Sequence, residues 1–263
     1  MADHSPGAID TSRPHSARIW NHLLGGKDNY EADRAAAEAI VAVFPGMADV
    51  TRCSRQFLGR VVEHLVRDAG IRQFLDVGSG LPTADNTHEI AQRGAPEARI
   101  VYVDNDPLVL AHARALLTST PEGRCQYIDA DARDTDRILE EAARTLDFTR
   151  PVGLMLMGIL GLVEDYAEAR SVVRRLTAAL PSGSYLGLND GTTTDAAYVE
   201  ALRRHNPRAA VPYTARAPEQ IEGYFEGLDL WEPGVVSCPR WRPENPGNTA
   251  ADVAAYGGVA RKP

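Results

Sequence analysis

The sequence predicts an α/β fold, an open and mostly parallel sheet covered by helices on both faces. Three observations predict it. First, Phe74, Leu75 and Val77 form an apolar run with one acid inside it, Asp76, that breaks into Gly78-Ser79-Gly80. Second, apolar strand-like runs and helix-period stripes alternate from residue 73 to about 188. Such alternation implies parallel strands joined by right-handed crossovers. Third, acids recur at the ends of consecutive strands: Asp76 in the first, Asp104 closing the second and Asp131 after the third.

The elements follow in order. Residues 1–14 are polar, with Pro6, Gly7 and Pro14, and read as a loose tail. Residues 15–70 read as a helical cap forming one unit with the sheet domain of residues 71–263. Its first stripe, Ile19, Leu23 and Leu24, is stopped by Gly25-Gly26. A second, Ala35, Ala36, Ala39, Ile40 and Val43, is stopped by Pro45-Gly46. The third is Phe57, Leu58, Val61, Val62, Leu65 and Val66, closed by Gly70. The predicted strands are 73–77, 99–104, 125–128, 152–157 and 185–188. The intervening helices are placed at 83–93, from Asp106-Pro107 onward with Val109, Ala113, Leu116 and Leu117 buried, at 135–146 and at 165–180. Asp106-Pro107 is an N-cap followed by proline at the first helical position. Beyond residue 190 the pattern loosens into a helix at 194–205, a Pro-containing loop, a short helix at 219–225 and two strand-like pieces, 234–238 and 254–260. These flank a polar loop and pair as a terminal hairpin.

Composition narrows the function. The formal charge is -8, from 28 Lys and Arg against 36 Asp and Glu, which disfavours a nucleic-acid backbone as partner. Three separated cysteines form no CxxC pair and no disulfide framework. The first residues lack a signal peptide's apolar segment, and no apolar run approaches the ~20 residues of a membrane span. A cytoplasmic protein is the expectation.

Gly78-Ser79-Gly80 resembles a dinucleotide loop, but Thr83 stands where the third glycine belongs. Asp76 beside the loop repels a diphosphate and attracts a cation. S-adenosylmethionine carries an ammonium and a sulfonium and no phosphate, so it fits. Asp104 is placed to accept both ribose hydroxyls, and Asp131 to accept from an exocyclic amine. Other chemistry is not supported. His88-Glu89 starts like a zinc-protease motif, but Gln92 replaces the second histidine, and no metal site is expected. No Gly-x-Ser-x-Gly elbow or phosphate loop occurs. Trp231, Trp241 and Tyr224 are read as core. A general base, if the acceptor needs one, is sought in Asp190 at the end of strand five or in His22; His205 is assigned to loop.

The stretches ARIWNHLLGGKDNYEADR (17–34), FLDVGSGLPTADNTHE (74–89) and IVYVDNDPLVLAHARALL (100–117) resemble a known family, with weaker likeness at 129–134 and 256–263. The chain is similar to class I S-adenosylmethionine-dependent methyltransferases. More narrowly, it resembles the actinobacterial S-adenosyl methyltransferase family, formerly domain of unknown function 574. The resemblance implies a Rossmann-like, mostly parallel seven-stranded sheet with a reversed last hairpin. It places Asp76, Gly78, Ser79 and Gly80 at the methionine end, Asp104 on the ribose and Asn105 by the adenine. It places Asp131 and Ala132 on the adenine edge and Gly158 beside the transferable methyl. Lys27, Asn29 and Tyr30, in a polar loop between two cap helices, are expected at the cofactor or substrate. Ile159 and Leu160 are apolar where residues near the substrate normally stand. Met157-Gly158-Ile159-Leu160 lacks the tetrad of base-modifying amino methyltransferases. The expected acceptor is a small molecule. A non-catalytic cofactor-binding regulator and a nicotinamide-dependent oxidoreductase are the alternatives.

Overall fold

The computed structural model describes residues 9–82, 85–116, 118–245 and 251–263. The sequence-based expectations for the start of the tail, Thr83, the side chains of Ala113 and Leu116, Leu117 and part of the late polar loop fall outside the described residues. Three helices come first: α1 (Ser16–Leu23), α2 (Glu31–Val43) and α3 (Met47–Arg67). Then strands and helices alternate through β1 (Gln73–Val77), α4 (Thr87–Gly94), β2 (Arg99–Asp104), α5 (Pro107–Leu116), β3 (Arg124–Asp129) and α6 (Thr135–Ala142). They continue through β4 (Gly153–Met157), α7 (Tyr166–Ala179), β5 (Tyr185–Gly191) and α8 (Ala196–His205). The chain closes with α9 (Pro218–Glu222), β6 (Asp229–Leu230), β7 (Val236–Ser237) and β8 (Ala255–Arg261).

The sheet runs β3-β2-β1-β4-β5-β8-β6, with β7 also on β8. β1 to β5 are mutually parallel. β8 pairs antiparallel with β5, so the reversed last strand is present. The sheet has eight strands rather than the expected seven, because the two-residue β6 adds itself to β8. So short a piece carries no period-two signal. α4 begins at Thr87, not at 83, because Asn86 and Glu89 form a capping box there: the Asn86 N–H donates to Glu89 at 2.7 Å.

Side chains of the parallel strands alternate between two cores. Phe74, Ile100, Tyr102 and Met155 pack with Phe57, Val61 and Leu65 of α3. Leu75, Val77, Val101, Val103, Leu154 and Leu156 pack with Ile138 of α6 and Val173 and Leu176 of α7. All six apolar positions expected to face inward on α3 are buried. Burying each such side chain contributes about 1.5–3 kcal/mol. On α2 the buried residues are Asp33, Ala37 and Ile40, and Ala35 and Ala39 face outward. Asp33 is drawn inside because its carboxylate accepts the N–H groups of His15 and Tyr30, both at 2.9 Å, tying α1 to α2. Near the C-terminus, Lys262 donates to the carbonyls of Thr177, Ala178 and Leu180 at 3.0, 3.0 and 2.6 Å. A cation there satisfies the open end of α7. Trp241 and Tyr224 are buried in the two cores, as read. No described helix is long and apolar enough to cross a membrane.

Candidate active site

The site forms where β1 runs out. Gly78 and Ser79 donate their N–H groups to the Val103 carbonyl at 2.8 and 3.2 Å, and Gly80 donates to Asp104 Oδ2 at 2.9 Å. Asp104 Oδ1 accepts the Asp106 N–H at 3.0 Å, so this one carboxylate joins the glycine turn to the start of α5. Gly78 has φ +78°, and a Cβ on it would lie 2.6 Å from Ile159 Cδ1. Left-handed backbone and close approach together leave room only for glycine.

The turn opens into a cavity of about 160 Å³ at the carboxyl ends of β1 to β4. Ligands of open α/β sheets bind in this place. Asp76, Asp104 and Asp131 all stand on its wall, together with Asn105, Ala132 and Gly158. Asp76 is buried and accepts the Thr87 hydroxyl at 2.6 Å. Burial pushes its pKa up to about 6; Thr87 and the nearby Arg55 guanidinium oppose the rise, and Asp104 adds to it. Burial also raises the pKa of Asp104. Asp131 goes the other way, lowered chiefly by Arg133, which donates to it at 2.8 and 2.6 Å. Two desolvated carboxylates facing one space form a seat for a cation. Among the described residues, the buried Ser79 hydroxyl makes no hydrogen bond with another protein group.

One side of the cavity is closed by α1. Ala17, Trp20, Asn21 and Leu24 line it at helical spacing, and Ser54, Arg55 and Leu58 line it from α3. The helix α1 is held by a buried ion pair. Arg18 donates to both Asp106 oxygens at 3.0 and 2.9 Å, and His15 Nδ1 lies 3.1 Å from the same group. Asp106 also accepts the Leu108 N–H at 2.9 Å, so the helix-capping role expected of it is only part of its work.

These residues fit S-adenosylmethionine: acids for its cations, a glycine cradle, and an apolar remainder. A sequence model of the S-adenosyl methyltransferase family matches residues 2–263. The chain belongs to that family. It is an S-adenosylmethionine-dependent methyltransferase. A DUF574 family protein from Streptomyces avermitilis MA-4680 is 46% identical, with a TM-score of 0.93 over 97% of this chain and 100% of that one. A candidate methyltransferase from Thermobifida fusca YX is 41% identical, with a TM-score of 0.89 over 99% of each chain. An O-methyltransferase family 2 protein from Planctomyces limnophilus, solved with apigenin, is 16% identical, with a TM-score of 0.50 over 93% of this chain and 65% of that one. That likeness shows a common fold. No curated protein matches the chain.

The structure does not bring every sequence-predicted residue of the methyltransferase to the cavity. Asp190 is the penultimate residue of β5 but is not on the wall. Its Oδ1 accepts the Tyr213 hydroxyl and the Gly191 N–H, and burial pushes its pKa up to about 7. Strand parity explains the placement. Asp76 pairs with Met155 and Met155 with Gly187, so the side toward α3 continues at Asn189, which bonds to Ser54. Asp190 points to the opposite face. His22 is half-buried on α1 and also off the wall. In the loop after α1, Lys27 is exposed, Asn29 donates to Asn21 Oδ1 and the Gly26 carbonyl at 2.9 and 3.0 Å, and Tyr30 precedes α2 beneath Arg18. None of the three lines the cavity.

A carboxyl whose folded pKa is raised stabilises the fold below its unfolded pKa, and that stability is lost as pH rises through the folded value. Asp190→Asn keeps the acceptor for Tyr213 and removes this titration. We expect the loss of stability between about pH 5 and pH 8 to shrink by about 1–3 kcal/mol in urea unfolding. An unchanged loss would contradict the raised pKa.

Sequence reasoning missed Trp20, Arg55 and the partners of Asp106. The α1 signal was present as the i, i+3, i+4, i+7 series Ala17, Trp20, Asn21 and Leu24. Its mixed polarity hid it. Arg55, one of several polar residues on this turn of α3, carries no such signal.

Proposed function

We propose that this methyltransferase moves the methyl group of S-adenosylmethionine to a small-molecule acceptor. The seat of buried carboxylates beside the glycine turn carries the reading. Asp76 holds the methionine amine, and Gly78, Ser79 and Gly80 approach the methionine backbone. Asp104 holds the ribose hydroxyls, Asn105 flanks the adenine, and Asp131 and Ala132 meet its edge. Gly158 borders the methyl. The cofactor supplies a methyl group on an electron-poor sulfur. The protein supplies alignment, which accounts for much of the acceleration in a two-centre displacement. Residues 15–70 act as a cap on the same unit. That the Planctomyces protein of like fold was solved with apigenin supports a small-molecule acceptor here.

Cofactor affinity is expected to depend on pH in a defined direction. Below about 6 Asp76 is protonated and no longer attracts an ammonium. Calorimetric titration should therefore show affinity rising as pH climbs from about 5 to 7.5, by about tenfold for a pKa change near one. An affinity flat across that window would separate Asp76 from the amine. Titration with a nicotinamide dinucleotide tests the whole reading, and tighter binding of that ligand would overturn it.

A further inference from the structure

The cavity is unevenly charged. Its titratable side chains are His15, Arg55, Asp76, Asp104, Asp131 and Arg133. All belong to its β1, β2 and β3 sides: Arg55 near Asp76, His15 at Asp106, and Arg133 on Asp131. The chain that follows β4 contributes Gly158, Ile159, Leu162 and Val163 to the wall, and Trp20, Leu24 and Val211 also line the cavity. Gly158 has φ +70°, and a Cβ on it would lie 3.7 Å from the Trp20 ring, so the indole stands directly over this glycine. Leu24 follows one helical turn later. Val211 sits on the segment that Thr214 ties to the Gly161 carbonyl at 2.7 Å, and it is 44% exposed. Two polar neighbours are already engaged. Asn21 Oδ1 accepts from Asp28 and Asn29, and Ser54 exchanges hydrogen bonds with Asn189. Asp190 and Tyr213 are bonded to each other off the wall.

From this we infer that the acceptor is a planar aromatic hydroxyl compound that loses its proton to solvent and binds as the phenolate, packed in the cavity against the edge of Trp20 beside the Gly158-Ile159 turn. The inference rests on the methyl-transfer reading above. Among the described residues no side chain on the β4 side of the cavity takes a proton, so the nucleophile arrives already deprotonated. An alkyl amine is protonated at neutral pH and finds no carboxylate there. A carboxylate would bury localised charge with no protein donor or cation of the described residues to hold it in place. A phenolate spreads its charge over a ring that packs against the indole. The reaction balances: the phenolate oxygen bonds to the methyl carbon as the carbon–sulfur bond breaks, and the electron pair stays on sulfur, leaving a neutral aryl ether and a neutral thioether.

The test uses the full chain with S-adenosylmethionine, first confirmed to bind by calorimetry. The probes are 2-naphthol, 7-hydroxycoumarin and a nitro-substituted naphthol, with 2-(naphthyl)ethylamine as the amine. We expect methylation of the phenols and not of the amine. The pH at which kcat/KM levels off should move from phenol to phenol with each one's own pKa. In direct calorimetry, Trp20→Ala should weaken phenol affinity about tenfold and cofactor affinity much less, with Trp20→Phe recovering most of the loss. A levelling pH fixed for all phenols would reveal a base in the enzyme and overturn the inference. So would methylation of the amine alone, or no methylated phenol while the cofactor binds. Failure of the cofactor to bind would overturn the methyl-transfer reading as well.

Discussion

Replacing Asp106 by alanine is expected to lower stability by about 3–5 kcal/mol, the cost of leaving a buried charge without its partner. The Arg18 and Asp106 side chains are 4% and 0% exposed, and the guanidinium meets both carboxylate oxygens. Removing the cap on α5 alone would cost about 0.5–2 kcal/mol. The two contributions are separable, because Asp106→Asn keeps an acceptor for the Leu108 N–H but removes the charge. Urea unfolding without ligand measures both. Because α1 closes one side of the cavity, the alanine variant should also bind cofactor more weakly. A loss below about 1 kcal/mol would mean that α1 is not held by this pair.

Asp104→Ala is expected to weaken S-adenosylmethionine binding by about 1.5–3 kcal/mol, roughly 10- to 150-fold, the range for hydrogen bonds to a charged group. Asp104 also fastens the Gly80 and Asp106 N–H groups, so part of the loss comes through the glycine turn. Asp104→Asn retains one carbonyl oxygen for those bonds and separates the two effects. Circular dichroism and thermal unfolding establish that each variant folds. An unchanged dissociation constant would remove Asp104 from the site.

The five parallel strands were legible because each is an apolar run bounded by turn residues, and their helices carry clear stripes. The three strand-end acids were legible for the same reason: position at the end of a parallel strand places a residue at the cavity edge. What position along a strand does not tell is the face. Asp190 is next to last in β5 and Asp104 last in β2, yet Asp190 faces away, and that follows only from the register β1 to β4 to β5. Asp106 reads locally as a helix cap, and its ion pair with Arg18 joins residues far apart in the chain. Lys27, Asn29 and Tyr30 are dense polar groups between apolar helices, which resembles a binding loop. Asn29 spends its polarity on closing the turn after α1. β6 escaped because two residues hold no pattern.

The central claim is that the acidic rim seats a positively charged adenosyl cofactor in one orientation. A crystal structure of the protein grown with S-adenosylmethionine tests it most directly. The account predicts the amine at Asp76, the ribose hydroxyls at Asp104, the adenine between Asn105 and Asp131-Ala132, and the methyl facing Trp20 over Gly158. A cofactor bound in the reverse direction, or seated away from the Gly78–Gly80 turn, would contradict it.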